Sequence, residues 1–193
     1  MKRPLLAALC AILFGLGAST AARAQDKFQL TSPVMTDGGT LPENLKCERH
    51  GGKGVSPPVA WSAVPEGTKG LALMMFHYPK GTVEGIDPPS HYWLLWNIPL
   101  DTTSIPEGNP ASLGDEGSDK DNRRTGYTPP CSPSPWWSFF STAPKHTYVI
   151  EVFALNEPLT ELPAQDDQGV DWTTMTKAMD GKIIASSKLS FMD

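Results

Sequence analysis

Four histidines (His50, His77, His91 and His146) and three cysteines (Cys10, Cys47 and Cys131) are the side chains best suited to chemistry in this 193-residue chain. Imidazoles shuttle protons, donate to anions or ligate metals, and thiols act as nucleophiles, ligands or halves of a disulfide. Spacing decides among these roles. The chain has no Gly-x-Ser-x-Gly elbow, no phosphate loop and no His-Glu-x-x-His pair, so the usual hydrolase, nucleotide-binding and metalloprotease signatures are missing. Asp87-Pro88-Pro89-Ser90-His91 sets an acid, a hydroxyl and an imidazole side by side. Sequence neighbours rarely form a triad, however, and the two prolines suggest a rigid turn. An enzyme is not expected.

The compartment sets what the thiols can do. Lys2-Arg3, the apolar run from Leu5 to Ala18 and the small-residue motif Ala22-Arg23-Ala24 read as a secretory signal peptide, residues 1–24, cut after Ala24. The run, which contains Cys10, is shorter than the roughly 20 apolar residues of a spanning helix. Residues 25–193 then form a single domain, periplasmic or secreted, with no integral membrane segment once the signal is cut. In that oxidising setting a disulfide is the most economical fate of Cys47 and Cys131. A competing reading takes Cys47-Glu48-Arg49-His50 as half of a metal site, for which a second Cys-x-x-Cys or His pair is missing. No metal or other cofactor is expected.

Charge narrows the partners further. Lys and Arg number 16 against 21 Asp and Glu, a net charge of -5, and loss of Lys2, Arg3 and Arg23 with the signal takes it to -8. A nucleic-acid binder working through a general basic surface is excluded, because phosphate affinity needs clustered positive charge. Gly and Pro supply 17 and 19 residues, a share of about 19% where roughly 12% is usual, so the chain is loop-rich and unsuited to long helical bundles.

The segments that must position these side chains are short. Phe28 to Thr31 reads as an opening edge strand and Val59 to Trp61 as a brief second one. The apolar runs Gly70 to Tyr78 and His91 to Ile98 have strand length and look buried on both faces. Asp101 to Thr125 is polar and reads as one long surface loop. His146 to Leu155 alternates, with His146, Tyr148, Ile150 and Val152 on one face and Thr147, Val149, Glu151 and Phe153 on the other. Asp171 is a plausible cap for a helix over Trp172 to Asp180, which Gly181 can end, and Lys182 to Leu189 reads as a last strand. The expected class is mostly β with one late helix.

The ordered landmarks are Asp37-Gly38, Leu41-Pro42, Cys47, Ser56-Pro57-Pro58 with Trp61, and Pro65-Glu66-Gly67-Thr68-Lys69. They continue through Trp93-Leu94-Leu95-Trp96-Asn97-Ile98-Pro99, Ile105-Pro106-Glu107-Gly108, Gly126-Tyr127 with Pro130-Cys131, His146-Thr147-Tyr148, and Ala178-Met179-Asp180-Gly181-Lys182. In this order they resemble the phosphatidylethanolamine-binding protein family, specifically its bacterial branch of Raf-kinase-inhibitor-like proteins. The resemblance implies a central β-sheet packed on a second sheet, few helices, and a small pocket at one end that takes anions such as phosphate or a phospholipid headgroup.

The pocket departs from the family pattern. Members usually carry Asp-Pro-Asp-x-Pro at the end of the first buried strand, and here His77-Tyr78-Pro79-Lys80-Gly81 stands in its place. The family histidine of the next strand falls on Tyr92, with His91 one residue earlier and therefore on the opposite face unless a bulge intervenes. His146 and Tyr148 keep the family positions. The resemblance thus implies a ligand site of His146, Tyr148, Tyr92 and His77, with His91 and Pro130 as further members. Imidazoles and phenols donate hydrogen bonds where carboxylates would repel, which suits a small anion, and imidazoles that gain charge near pH 6.5 would hold it more tightly as pH falls. A zinc site made of the histidines alone has no supporting ligand spacing. Between Cys131 and His146 the chain inserts residues 132–145, with Trp136, Trp137, Phe139 and Phe140. This aromatic loop could cap the pocket, fill it, or contact a lipid or a protein partner such as a protease or a kinase-like protein.

Overall fold

The computed structural model describes residues 27–131 and 146–193. Residues 1–24, read above as a signal peptide, and the aromatic insertion 132–145 lie outside the described residues. The strands are β1 (Gln29–Thr31), β2 (Gly39–Thr40), β3 (Val59–Ser62), β4 (Gly70–His77), β5 (Ser90–Trp96), β6 (Ser104–Ile105), β7 (Asp115–Glu116), β8 (Thr147–Leu155) and β9 (Ile183–Met192), with the helix α1 (Trp172–Met179) before the last. They form two sheets, a small one in the order β1-β3-β6 and a large one in the order β2-β9-β8-β4-β5-β7. The fold is mostly β with one helix and two sheets, as the sequence implied.

Apolar residues on both faces of β4 explain its central place. Leu71, Leu73 and Met75 point into a core shared with β5, β8 and the small sheet, where Leu30, Val59, Trp61 and Ile105 meet them. Ala72, Met74 and Phe76 point the other way, toward Met175, Ala178 and Met179 of α1 and toward Leu159, Leu162 and Val170. A strand covered on both faces reads as a continuous apolar run, although here its pairings with β5 and β8 are antiparallel. β8 keeps the alternation of its sequence, with Tyr148, Ile150 and Val152 in the first core and Phe153 in the second. The helix starts where expected: the Asp171 carboxylate accepts from the Thr174 N–H at 2.8 Å, and Gly181 follows with φ 71°.

Three segments differ from the sequence expectation. Residues 101–125 hold β6, β7 and a bridge between Ser118 and Thr125, and Ile105 and Ser118 are completely buried. Two-residue strands are too short to leave a period in sequence; their tertiary partners create them. β9 runs on to Met192 because it pairs with β8 on one side and, in parallel, with β2 on the other. β5 carries a bulge opposite Met75 and Phe76: Met75 pairs with Trp93 and Phe76 with His91, so Tyr92 is the extra residue.

Candidate functional site

The bulge decides which side chain of β5 reaches the end of the first core. Successive strand residues alternate faces, yet Tyr92 and Trp93 both pack into the first core and Leu94 into the second. His77, at the end of β4, shares the face of Leu73 and Met75. His146 and Tyr148, at the start of β8, share the face of Ile150. These side chains meet. The ring of His77 lies 4.9 Å from that of His146 and 5.1 Å from that of Tyr148. The rings of Tyr92 and Tyr148 stand edge to face at 5.1 Å, and Tyr148 stacks on Phe191 of β9 at 5.5 Å.

A cavity of about 310 Å³ opens beside this cluster. Tyr92 and Tyr148 line it from the strands, and Arg49, Lys120, Asp121, Thr128, Pro129 and Cys131 line it from the loops. The segment 117–128 is fixed over β5 by the Gly117 N–H donating to the Leu94 carbonyl at 3.0 Å and the Thr128 N–H to the Tyr92 carbonyl at 2.7 Å, and is closed on itself by the Gly126 N–H donating to the Gly117 carbonyl at 3.0 Å and the Lys120 N–H to the Thr128 hydroxyl at 3.1 Å. They bring the Lys120 ammonium to 5.9 Å from the centre of the Tyr92 ring, within cation–π range. The other wall is tied down by the Cys47–Cys131 disulfide, whose Cα atoms are 5.5 Å apart.

Burial shapes the electrostatics. It pushes the His77 imidazole below its ordinary pKa, and the neighbouring His146 and Lys120 push the same way against a backbone contact at Thr147. All three influences favour the neutral imidazole of His77. Burial, with Tyr148 beside it, raises the Tyr92 phenol, and burial likewise raises Tyr127, so both remain protonated donors. The Tyr127 hydroxyl is buried with no hydrogen-bond partner among the described residues.

Of the side chains named from sequence, the structure gathers His77, Tyr92, His146 and Tyr148. His91 is placed elsewhere. The bulge turns it away from the cluster, and its Nε2 sits 3.0 Å from the Ser118 hydroxyl, in the field of Asp171 and Asp119; burial holds its pKa down against them. Ser118 is completely buried, and His91 is half-buried. Pro130 is buried, and Pro129 supplies the cavity wall. Arg49 and Lys120 were not singled out by sequence: Arg49 sits inside the Cys47–His50 motif, and Lys120 in a polar run that reads as solvent-exposed loop. The one usable signal was Pro129-Pro130, which marks the segment against which both converge.

A two-sheet β protein with a polar cavity at one end of its central strands is the class that fold and site define. The model of the phosphatidylethanolamine-binding protein family matches residues 31–192, and the chain belongs to that family. A protein of Chlamydia trachomatis described as UPF0098 is 31% identical over 169 residues, covering 83% of this chain and 95% of its own length. The crystal structure of a phosphatidylethanolamine-binding protein homologue from the same species superposes with a TM-score of 0.68 at 28% identity, covering 86% of this chain and 96% of that one. A Mycobacterium tuberculosis protein named as a lipoprotein, LppC, is 27% identical over 117 residues, covering 61% of this chain and 53% of its own length.

Proposed function

We propose that this chain is an exported, non-catalytic binding protein whose cavity takes a small anion bearing a phosphate, either free or as a phospholipid headgroup. One observation carries the reading: two cations, Arg49 and Lys120, and two phenols, Tyr92 and Tyr148, converge on one cavity that, among the described residues, holds a single carboxylate, Asp121. In a chain of net charge -5 this is a local basic site, with donors suited to phosphate oxygens. Asp121 sits 3.5 Å from the Lys120 ammonium, an exposed and weakly held pair that an anion can displace. The non-catalytic reading is supported by the missing hydrolase, phosphate-loop and metalloprotease motifs in the sequence. Export is supported by the sequence of residues 1–24, by the disulfide, and by the relative named as a lipoprotein.

Calorimetric titration of the mature protein with inorganic phosphate, phosphoethanolamine and phosphatidylethanolamine vesicles tests the reading and separates the sources of the phosphate. Saturable binding of at least one is expected. Lys120→Ala should weaken it by about 10-fold or more, the loss of one charge-assisted hydrogen bond. Undiminished binding in Lys120→Ala, or none by the parent protein, would rule out this cavity as the site.

A further inference from the structure

Cys47, His50 and Cys131 make a second chemical cluster. One ring nitrogen of His50 and the two sulfur atoms lie within 4.8 Å of one another. The local backbone is built to bring them there. Cys47 directly precedes a single 3-10 turn, Glu48–His50, closed by the His50 N–H donating to the Cys47 carbonyl at 2.9 Å and the Gly51 N–H to the Glu48 carbonyl at 3.0 Å. Cys47, as the extended residue before the turn, and His50, at its end, are thereby held close together. The chain then folds back: the Lys53 N–H reaches the Asn44 carbonyl at 2.8 Å, and the Gly54 N–H the Lys46 carbonyl at 2.9 Å. Gly52 is obligatory in this fold-back, since a Cβ there would stand 2.0 Å from the Lys46 carbonyl oxygen. Cys131 approaches from the far side, across the wall that also bounds the anion cavity.

The His50 Nε2 is buried and has no hydrogen-bond partner among the described residues. A buried polar atom left unpaired is costly, and where one persists it commonly has a role that the resting state does not show. Two sulfurs and an imidazole at Cys-x-x-His spacing, with the third ligand from a distant segment, are the donor set of zinc and of other thiolate-seeking cations. The closed disulfide withholds both sulfurs. We propose that Cys47, His50 and Cys131 form a redox-gated cation site, closed in the disulfide state and able to hold Zn²⁺ once a dithiol has reduced the bond.

The steps balance. A dithiol gives two electrons and two protons to the disulfide, leaving two thiols and becoming a disulfide itself. Zn²⁺ then displaces the two thiol protons, taking two thiolates and the neutral imidazole. A cavity of about 420 Å³ borders both cysteines, with Glu48, Arg49 and Arg124 also in its wall. Arg49 and Cys131 border the anion cavity too, so the two sites share a wall.

The test uses the mature protein, reduced with a phosphine, freed of reductant under anaerobic conditions and titrated with Zn²⁺ against a chromophoric chelator, with circular dichroism following the fold. One Zn²⁺ per reduced chain and none per oxidised chain are expected, with the β-sheet spectrum retained. His50→Ala leaves both thiols in place and should weaken binding by at least about 10-fold, a lower bound set by what mere outer-shell partners contribute. His50→Gln, closer in volume, serves if the alanine variant does not fold. Co²⁺ in place of Zn²⁺ should give the absorption of a tetrahedral thiolate site. No uptake by the reduced chain, equal uptake in the His50 variants, or uptake only after the sheet spectrum is lost would each overturn the proposal.

Discussion

Reducing the Cys47–Cys131 bond should lower the melting temperature steeply while leaving the native sheet intact at 25 °C. The bond joins positions 84 residues apart. For a loop of that length, the entropy released to the unfolded chain corresponds to about 4–5 kcal/mol at 25 °C. A domain of this size loses roughly 2–4 °C per kcal/mol, so the expected fall is about 8–20 °C. The fold should survive at room temperature because the two apolar cores on either side of β4 include neither cysteine, and Leu73, Met74, Trp93 and Trp96 are fully buried within them. Thermal melts followed by circular dichroism, with and without a phosphine reductant, measure the shift. A change under about 3 °C would show that the bond closes no loop that matters to the unfolded chain, against the chain-entropy reasoning. Two free thiols titrating in the oxidised protein would remove its premise.

Two further predictions concern the helix cap and acidity. Asp171→Ala removes the carboxylate that accepts from the Thr174 N–H and should cost about 1 kcal/mol, a fall of roughly 2–4 °C in the melting temperature; no change would mean the cap contributes nothing. Burial holds both His77 and His91 below their ordinary pKa, so below about pH 6.5 the unfolded chain binds more protons than the folded one and stability drops as pH falls. In phosphate-free buffer the melting temperature should be lower at pH 5.5 than at pH 7.5, and His77→Gln with His91→Gln should flatten that slope; a melting temperature that rises toward pH 5.5 would contradict it.

How far the fold could be read depended on whether an element announces itself locally. β4 and β5 are apolar enough to be seen as runs, and β8 alternates cleanly because one face meets each core. β2, β6 and β7 have two residues each, and nothing in two residues carries a period. The polar stretch around them therefore reads as loop although Ile105 and Ser118 are buried within it. The end of β9 was missed for a related reason: Ser190, Phe191 and Met192 are strand because β2 and β8 flank them, not because of their own pattern.

The candidate site divides in the same way. His77, Tyr92, His146 and Tyr148 were legible because each closes or opens a recognisable strand and falls on a family position. The choice between His91 and Tyr92 was not, since it rests on a bulge in β5 that no single residue signals. Arg49 and Lys120 come from loops, where no periodicity fixes direction, and only the chain's return through Thr128 and Cys131 shows that they face one cavity.

The most direct test of the binding claim is a calorimetric titration of the mature protein with phosphoethanolamine at pH 6 and pH 8, repeated with His77→Ala. An anion favours the protonated form of an imidazole beside it. The expected result is saturable binding that is tighter at pH 6, with a pH dependence that shrinks when His77 is removed. Binding at neither pH, or an affinity that is the same at both and indifferent to His77, would contradict it.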